Sequence, residues 1–125
     1  MSNDTPTLLV VDDEARILSA LRRSLRREGW RILTASTPDE ALRMLDEEPI
    51  DAVLSDHKMP RMSGLEVLEV AARCRPNAAR ILISGWPDEI PAERLAALGV
   101  RALVPKPWDD AELKRILRAA LTGRP

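Results

Sequence analysis

Five side chains carry the chemistry that the sequence offers: the adjacent carboxylates Asp12 and Asp13, the carboxylate Asp56, the hydroxyl Ser84 and the ammonium Lys106. Each falls at or just after the end of a short apolar run: TLLVV at 7–11, DAVLS at 51–55, ARILIS at 79–84 and VRALV at 100–104. Three carboxylates brought together repel one another and raise each other's pKa unless a cation compensates. So oxygen-rich a cluster favours a hard cation such as Mg²⁺. Lys106 adds a second positive charge on a flexible stem that can reach an incoming phosphoryl group, and Ser84 can donate a hydrogen bond to it. A carboxylate can attack phosphorus directly to give an acyl phosphate, with metal and lysine offsetting the charge on the transferred group. A lone Asp-Asp pair after a strand is commonly a turn or helix-start signal. The coincidence of all five residues at matching strand ends is not accounted for by structure alone.

What must position them is an alternation of strands and amphipathic helices. The strand at 7–11 gives way to a helix over 15–27, striped by Ile17, Leu18, Leu21 and Leu25 and stopped by Gly29. A mixed strand at 30–35 leads to a second helix, announced by Thr37 as cap, Pro38 at the first position and Glu40 three residues after the cap. The strand at 51–55 delivers Asp56. A Pro/Gly-containing loop at 58–64 then precedes a helix over 65–73. After the strand at 79–84 come a helix over 88–98 with Pro91 in its first turn, a stop at Gly99, and a strand at 100–104. The final helix carries a stripe at Leu113, Ile116, Leu117 and Ala120. Crossovers of this length imply right-handed connections between parallel strands in an α/β three-layer sandwich. Sites in such folds lie beyond the carboxyl ends of the strands, where the strand order reverses.

Composition narrows the field. A chain of 125 residues suits one domain, spanning 1–121, with 122–125 as a tail or the start of a linker. Nineteen Lys and Arg against twenty Asp and Glu give a net charge of −1, so the field of the whole molecule gives no reason to bind DNA or an anionic membrane. Arg22, Arg23, Arg26 and Arg27 form a local basic cluster that reads as a solvated helix face. The single cysteine, Cys74, excludes an intrachain disulfide. With no basic-then-apolar leader in MSNDTPT and no long apolar run, the expected location is the cytoplasm.

LLVVDDE at 8–14, LSDHKMPRMSG at 54–64, ILISG at 81–85 and KPW at 106–108 together resemble the receiver domains of response regulators in bacterial two-component signalling. The likeness covers essentially the whole chain. It implies a flavodoxin-like (βα)5 fold with parallel strand order 2-1-3-4-5, and a signalling module that catalyses its own phosphorylation and dephosphorylation rather than a conventional enzyme. By resemblance Asp56 is the phosphoacceptor, Asp13 a direct metal ligand and Asp12 a partner acting through water or orienting the site. The Lys58 carbonyl would be a further metal ligand. Ser84 and Lys106 would hold the phosphate with the backbone N–H groups of Lys58 and Gly85, and Lys106–Pro107 would be a cis peptide. Implied partners are a histidine kinase or histidine phosphotransfer protein, and an output domain or second copy on the face of the fourth helix, fifth strand and fifth helix. SDHKMP and KPW are most similar to receivers in regulators of hydrogenase genes and in regulators fused to cyclic-di-nucleotide phosphodiesterases or other output modules.

Several residues depart from the family pattern. Leu103 stands where many relatives have Tyr or Phe, and the chain has neither residue. It reads as core filling, as does Trp108 in the loop after the fifth strand. Pro105 precedes the lysine, which a strand at the sheet edge tolerates. His57 reads as a loop residue that alters water access, and Lys58 as a rim residue. Alternatives to a switched input module are a phosphorelay shuttle or phosphate sink, and a phosphorylation-independent adaptor. A dinucleotide enzyme is disfavoured because DDEAR replaces a glycine-rich loop after the first strand. A haloacid-type phosphatase is disfavoured because the best nucleophile follows the third strand, not the first.

Overall fold

The computed structural model describes residues 5–122, so residues 123–125 of the expected tail lie outside it. Five strands, β1 (Thr7–Val11), β2 (Arg31–Ala35), β3 (Ala52–Asp56), β4 (Ala79–Ser84) and β5 (Val100–Pro105), form one parallel sheet in the order β2-β1-β3-β4-β5. Helices α1 (Ala15–Ser24), α2 (Pro38–Glu47), α3 (Gly64–Cys74), α4 (Ala92–Ala97) and α5 (Asp110–Thr122) cover both faces. This is the flavodoxin-like arrangement expected from the sequence.

The strands alternate their side chains between two cores, as a period of two requires. Leu8, Val10, Leu54, Ile81 and Val104 face Leu18, Leu21 and Leu25 of the first helical segment and Leu113 and Leu117 of α5. Leu9, Val11, Val53 and Leu82 face Ala41 and Leu45 of α2 and Leu65, Leu68 and Ala71 of α3. β1 and β3 are buried along their whole length on both faces, which explains why they read as continuous apolar runs.

Two helical expectations need correction. The helix expected over 15–27 ends at Ser24, and a tight 3₁₀ turn at Arg26–Glu28 carries the chain to Gly29 at φ 85°. The helix expected over 88–98 does not form as one piece. Pro91 has no N–H to donate and forces Ile90 into an extended conformation (φ −99°, ψ 119°), leaving a 3₁₀ turn at Pro87–Glu89 and a short α4. At α2 the expected start holds: the Thr37 hydroxyl accepts from the Glu40 N–H at 3.2 Å, Pro38 takes the first position, and the Glu40 carboxylate accepts from the backbone N–H groups of Ser36, at 2.9 Å, and of Thr37. Strand ends shift by a residue: β2 starts at Arg31, β3 runs over 52–56 rather than 51–55, and β5 continues to Pro105.

Pro105 is accommodated by the edge position of β5. The N–H of Lys106 donates to the Ser84 carbonyl at 2.9 Å, so the alternation of the ladder points the Pro105 nitrogen away from β4 and no sheet bond is lost.

Candidate functional site

The strand order reverses between β1 and β3, and the polar residues gather over that switch point. Asp12 and Asp13 follow β1, Asp56 ends β3, Ser84 ends β4 and Lys106 follows β5. Asp13, Asp56, Ser84 and Lys106 line one cleft of about 590 Å³ with Lys58, Gly85 and Trp86, while Asp12 lies beneath it, only 1% exposed. Every residue proposed from the sequence for this site therefore lies in or under one cleft.

Ligand atoms of Asp12, Asp13 and Asp56 lie within 4.8 Å of one another. Lys106 Nζ stands 3.1 Å from Asp56 Oδ1 and 3.6 Å from Asp12 Oδ2. One ammonium against three carboxylates leaves the cluster short of positive charge. The deficit shows at Asp12. Its Oδ1 accepts the Glu14 N–H at 2.9 Å, but Oδ2 is buried without a hydrogen bond. Burial pushes the Asp12 carboxyl up to about 6; the Glu14 N–H opposes this and the charge of Asp56 adds to it. An orphaned, buried carboxylate oxygen beside two further carboxylates fits a hard divalent cation, and the three aspartates are positioned to coordinate one. For Lys106, burial works against the charged form, but the Asp56 hydrogen bond and the charges of Asp12, Asp56 and Glu14 outweigh it and raise the pKa. The lysine is thus held as a cation at the acceptor.

Local structure fixes this geometry. The β3–α3 connection returns the chain so tightly that the Gly64 N–H donates to the His57 carbonyl at 2.7 Å. A Cβ built on Gly64 would lie 2.0 Å from the Asp56 carbonyl oxygen, so only glycine fits where α3 meets the acceptor strand. Ser63 and Glu66 close a reciprocal capping box at the start of α3, at 3.3 and 2.9 Å. The S-x-x-E spelling of 63–66 carries that signal, which sequence reasoning passed over. On the far side the Ser84 hydroxyl oxygen accepts the Trp86 N–H at 3.0 Å, leaving its own proton to donate. Lys106–Pro107 is cis, as the resemblance implied.

Lys58 lies at the rim, as read from the sequence, with contacts that the sequence did not announce. Trp86 is 57% exposed, and Lys58 Nζ sits 4.5 Å above its ring while reaching Glu89 at 3.5 Å. His57 is half-buried rather than an open loop residue: its N–H bonds the Ile83 carbonyl and its Nδ1 is buried without a partner. Burial, and secondarily the charge of Lys58, holds its imidazole below the usual pKa. Trp108 packs on the α1–α5 core and Leu103 on the opposite one, both as filling residues.

The fold and site define a class, and comparison with known proteins agrees. Residues 8–118 match the model of the response regulator receiver domain. The chain belongs to that family. The hydrogenase transcriptional regulatory protein HoxA of Cupriavidus necator is 38% identical over 99% of this chain and 26% of its own length. The transcriptional regulatory protein KdpE of Mycobacterium tuberculosis is 39% identical over 91% of this chain and 50% of its own. Among solved structures, the signal receiver domain of an HD domain-containing protein from Pseudomonas fluorescens superposes with a TM-score of 0.88 at 32% identity, covering 95% of this chain and 96% of that one. The chain spans about a quarter of the length of the first curated relatives it matches. Among the described residues, no helix is long and apolar enough to cross a membrane.

Proposed function

We propose that this receiver domain takes a phosphoryl group onto Asp56 from the phosphohistidine of a kinase or phosphotransfer protein. The observation that carries the reading is the contact of Lys106 with Asp56, 3.1 Å apart within a cluster of three carboxylates. A carboxylate oxygen of Asp56 attacks phosphorus and forms the new P–O bond. The P–N bond of the donor breaks, and its electron pair stays on the imidazole nitrogen. Lys106 moves with the charge from the carboxylate to a phosphoryl oxygen, and the Ser84 hydroxyl donates to another. The backbone N–H groups of Lys58 and Gly85, without partners among the described residues, complete the cradle. Asp12 and Asp13, with Asp56 and the Lys58 carbonyl, would hold Mg²⁺, which when bound offsets the negative charge of carboxylates and phosphoryl oxygens.

The domain runs to the end of α5, which takes in Thr122 of the expected tail and leaves 123–125 as tail or linker, and it works in the cytoplasm. Phosphorylation shifts the population of states on the α4–β5–α5 face, where an output domain or a second copy docks. The likeness to HoxA supports an output in gene regulation carried outside this domain. Incubation with Mg²⁺ and acetyl phosphate, read by intact mass, should add one phosphoryl group to the protein and none to Asp56→Asn. No adduct, either there or with any phosphohistidine donor, overturns the reading. A phosphorelay shuttle is favoured by one feature, the aliphatic Leu103 in place of an aromatic switch. Rapid return of the group to a histidine protein, without any change in oligomeric state, would select that alternative.

A further inference from the structure

At the pole opposite the acceptor, the end of α1 and the start of β2 frame a groove of about 490 Å³. Arg31 N–H bonds the Pro6 carbonyl, which places this end of β2 beside the beginning of β1 and away from the carboxylate cluster. The groove is lined by Ser19, Arg22, Arg23, Arg26, Trp30 and Ile32. Trp30 and Ile32 are half-buried against the core, so they supply an apolar wall. The three arginines supply the charge.

Among the described residues these arginines have no counter-ion. Arg22 donates only to the neutral Thr34 hydroxyl at 3.1 Å, and among the described residues Arg23 and Arg26 have no ion-pair or hydrogen-bond partner for their side chains. The nearby carboxylates are engaged elsewhere: Glu28 takes Arg118 at 2.6 and 2.8 Å, and Asp110 takes Ser24 and Lys114. Arg22 and Arg23 lie in the last turn of α1, where the helix dipole favours cations, while Arg22 and Arg26, four residues apart, repel one another, and no carboxylate among the described residues neutralises the three. The chain as a whole carries −1, which leaves the basic face a local feature rather than the field of the molecule.

We propose that this groove docks an acidic segment of a partner protein, with an apolar side chain seated against Trp30 and Ile32 and carboxylates paired to Arg22, Arg23 and Arg26. Guanidinium groups match carboxylates in planar two-point pairs, and an aromatic wall beside arginines has the composition of a protein-binding hot spot. A nucleic acid or lipid surface would draw on a broad basic field, which the balanced net charge does not provide. The groove shares no lining residue with the acceptor cleft.

The test is fluorescence anisotropy at about 0.15 M salt, with a labelled helical peptide of roughly 16 residues, rich in glutamate and carrying leucines at helical spacing. Saturable binding is expected, weakened about tenfold or more in Arg23→Gln/Arg26→Gln, a loss of about 1.4 kcal/mol. Trp30→Leu should weaken it independently, while Asp56→Asn should leave it unchanged. Thermal unfolding of each variant separates lost docking from lost folding. Absence of saturable binding overturns the proposal, as does affinity indifferent to the arginine pair. So does equal or tighter binding of a random DNA duplex or of phosphatidylglycerol vesicles, or self-association that occludes the groove.

Discussion

Replacing Asp12 by Asn should make the metal-free domain more stable, although it removes a residue of the site. Asp12 is 1% exposed, and its carboxyl is held at about 6 instead of 3.8. Ionising it in the folded protein therefore costs about 3 kcal/mol relative to the unfolded chain. The sign follows from the raised value: the cost is absent well below pH 3.8, grows as the pH rises towards about 6, and is constant above that. An amide keeps the acceptor for the Glu14 N–H, which now meets Oδ1 at 2.9 Å, and carries no charge to desolvate. The attraction of Lys106, 3.6 Å from Oδ2, already opposes the rise to about 6, so no separate loss is subtracted and the gain should be about 3 kcal/mol. Urea unfolding in EDTA at pH 7.5 measures it, and at pH 4 most of the difference should disappear. Added Mg²⁺ should stabilise the parent domain more than the variant, because one of three carboxylates is gone. A variant less stable than its parent in EDTA at pH 7.5, or a gain that persists undiminished at pH 4, would refute the reasoning.

Other expectations are open to the same kind of measurement. Gly64→Ala forces a methyl to within 2.0 Å of the Asp56 carbonyl oxygen, so it should cost about 2 kcal/mol or more and displace the acceptor, seen as slower adduct formation at equal folded fraction. Arg61 adopts φ 77° and makes only a 4.0 Å surface pair with Asp39, so Arg61→Gly should raise stability by about 0.5–1 kcal/mol in thermal or urea unfolding. Ser63→Ala removes one half of the capping box and should lower stability by about 1 kcal/mol by the same methods. Leu54→Ala, at 1% exposure in the central strand, should cost about 2–5 kcal/mol in urea unfolding.

Much of the site was legible because its residues sit at points where the chain's pattern changes. Asp12 follows the apolar run of β1 at once, and the apolar runs of β3 and β4 give way to Asp56 and Ser84 as the strands end, so these polar groups stand out, and parallel topology sends all of them to one edge. Trp108 and Leu103 likewise took the packing roles their composition suggested. What the sequence concealed depends on contacts between distant segments. His57 reads as the start of a loop, yet its backbone is bonded on both sides, to Ile83 and to Gly64, and its ring is drawn inward. Nothing local announces that Lys58 and Trp86, on different loops, meet across the cleft. The break at Pro91 was legible in principle, because a proline restricts its predecessor as well as itself; here that constraint outweighs the helical spacing of Leu95 and Leu98.

The outward-turned ring of Pro105 also governs what can be built along that side of the molecule. A neighbouring chain trying to add a sixth strand beyond β5 would need donors along the free margin, and near the carboxyl end it finds a nitrogen with no hydrogen to give. Sheet-to-sheet growth into fibres is therefore hindered at that end, where the ladder lacks one of its donors.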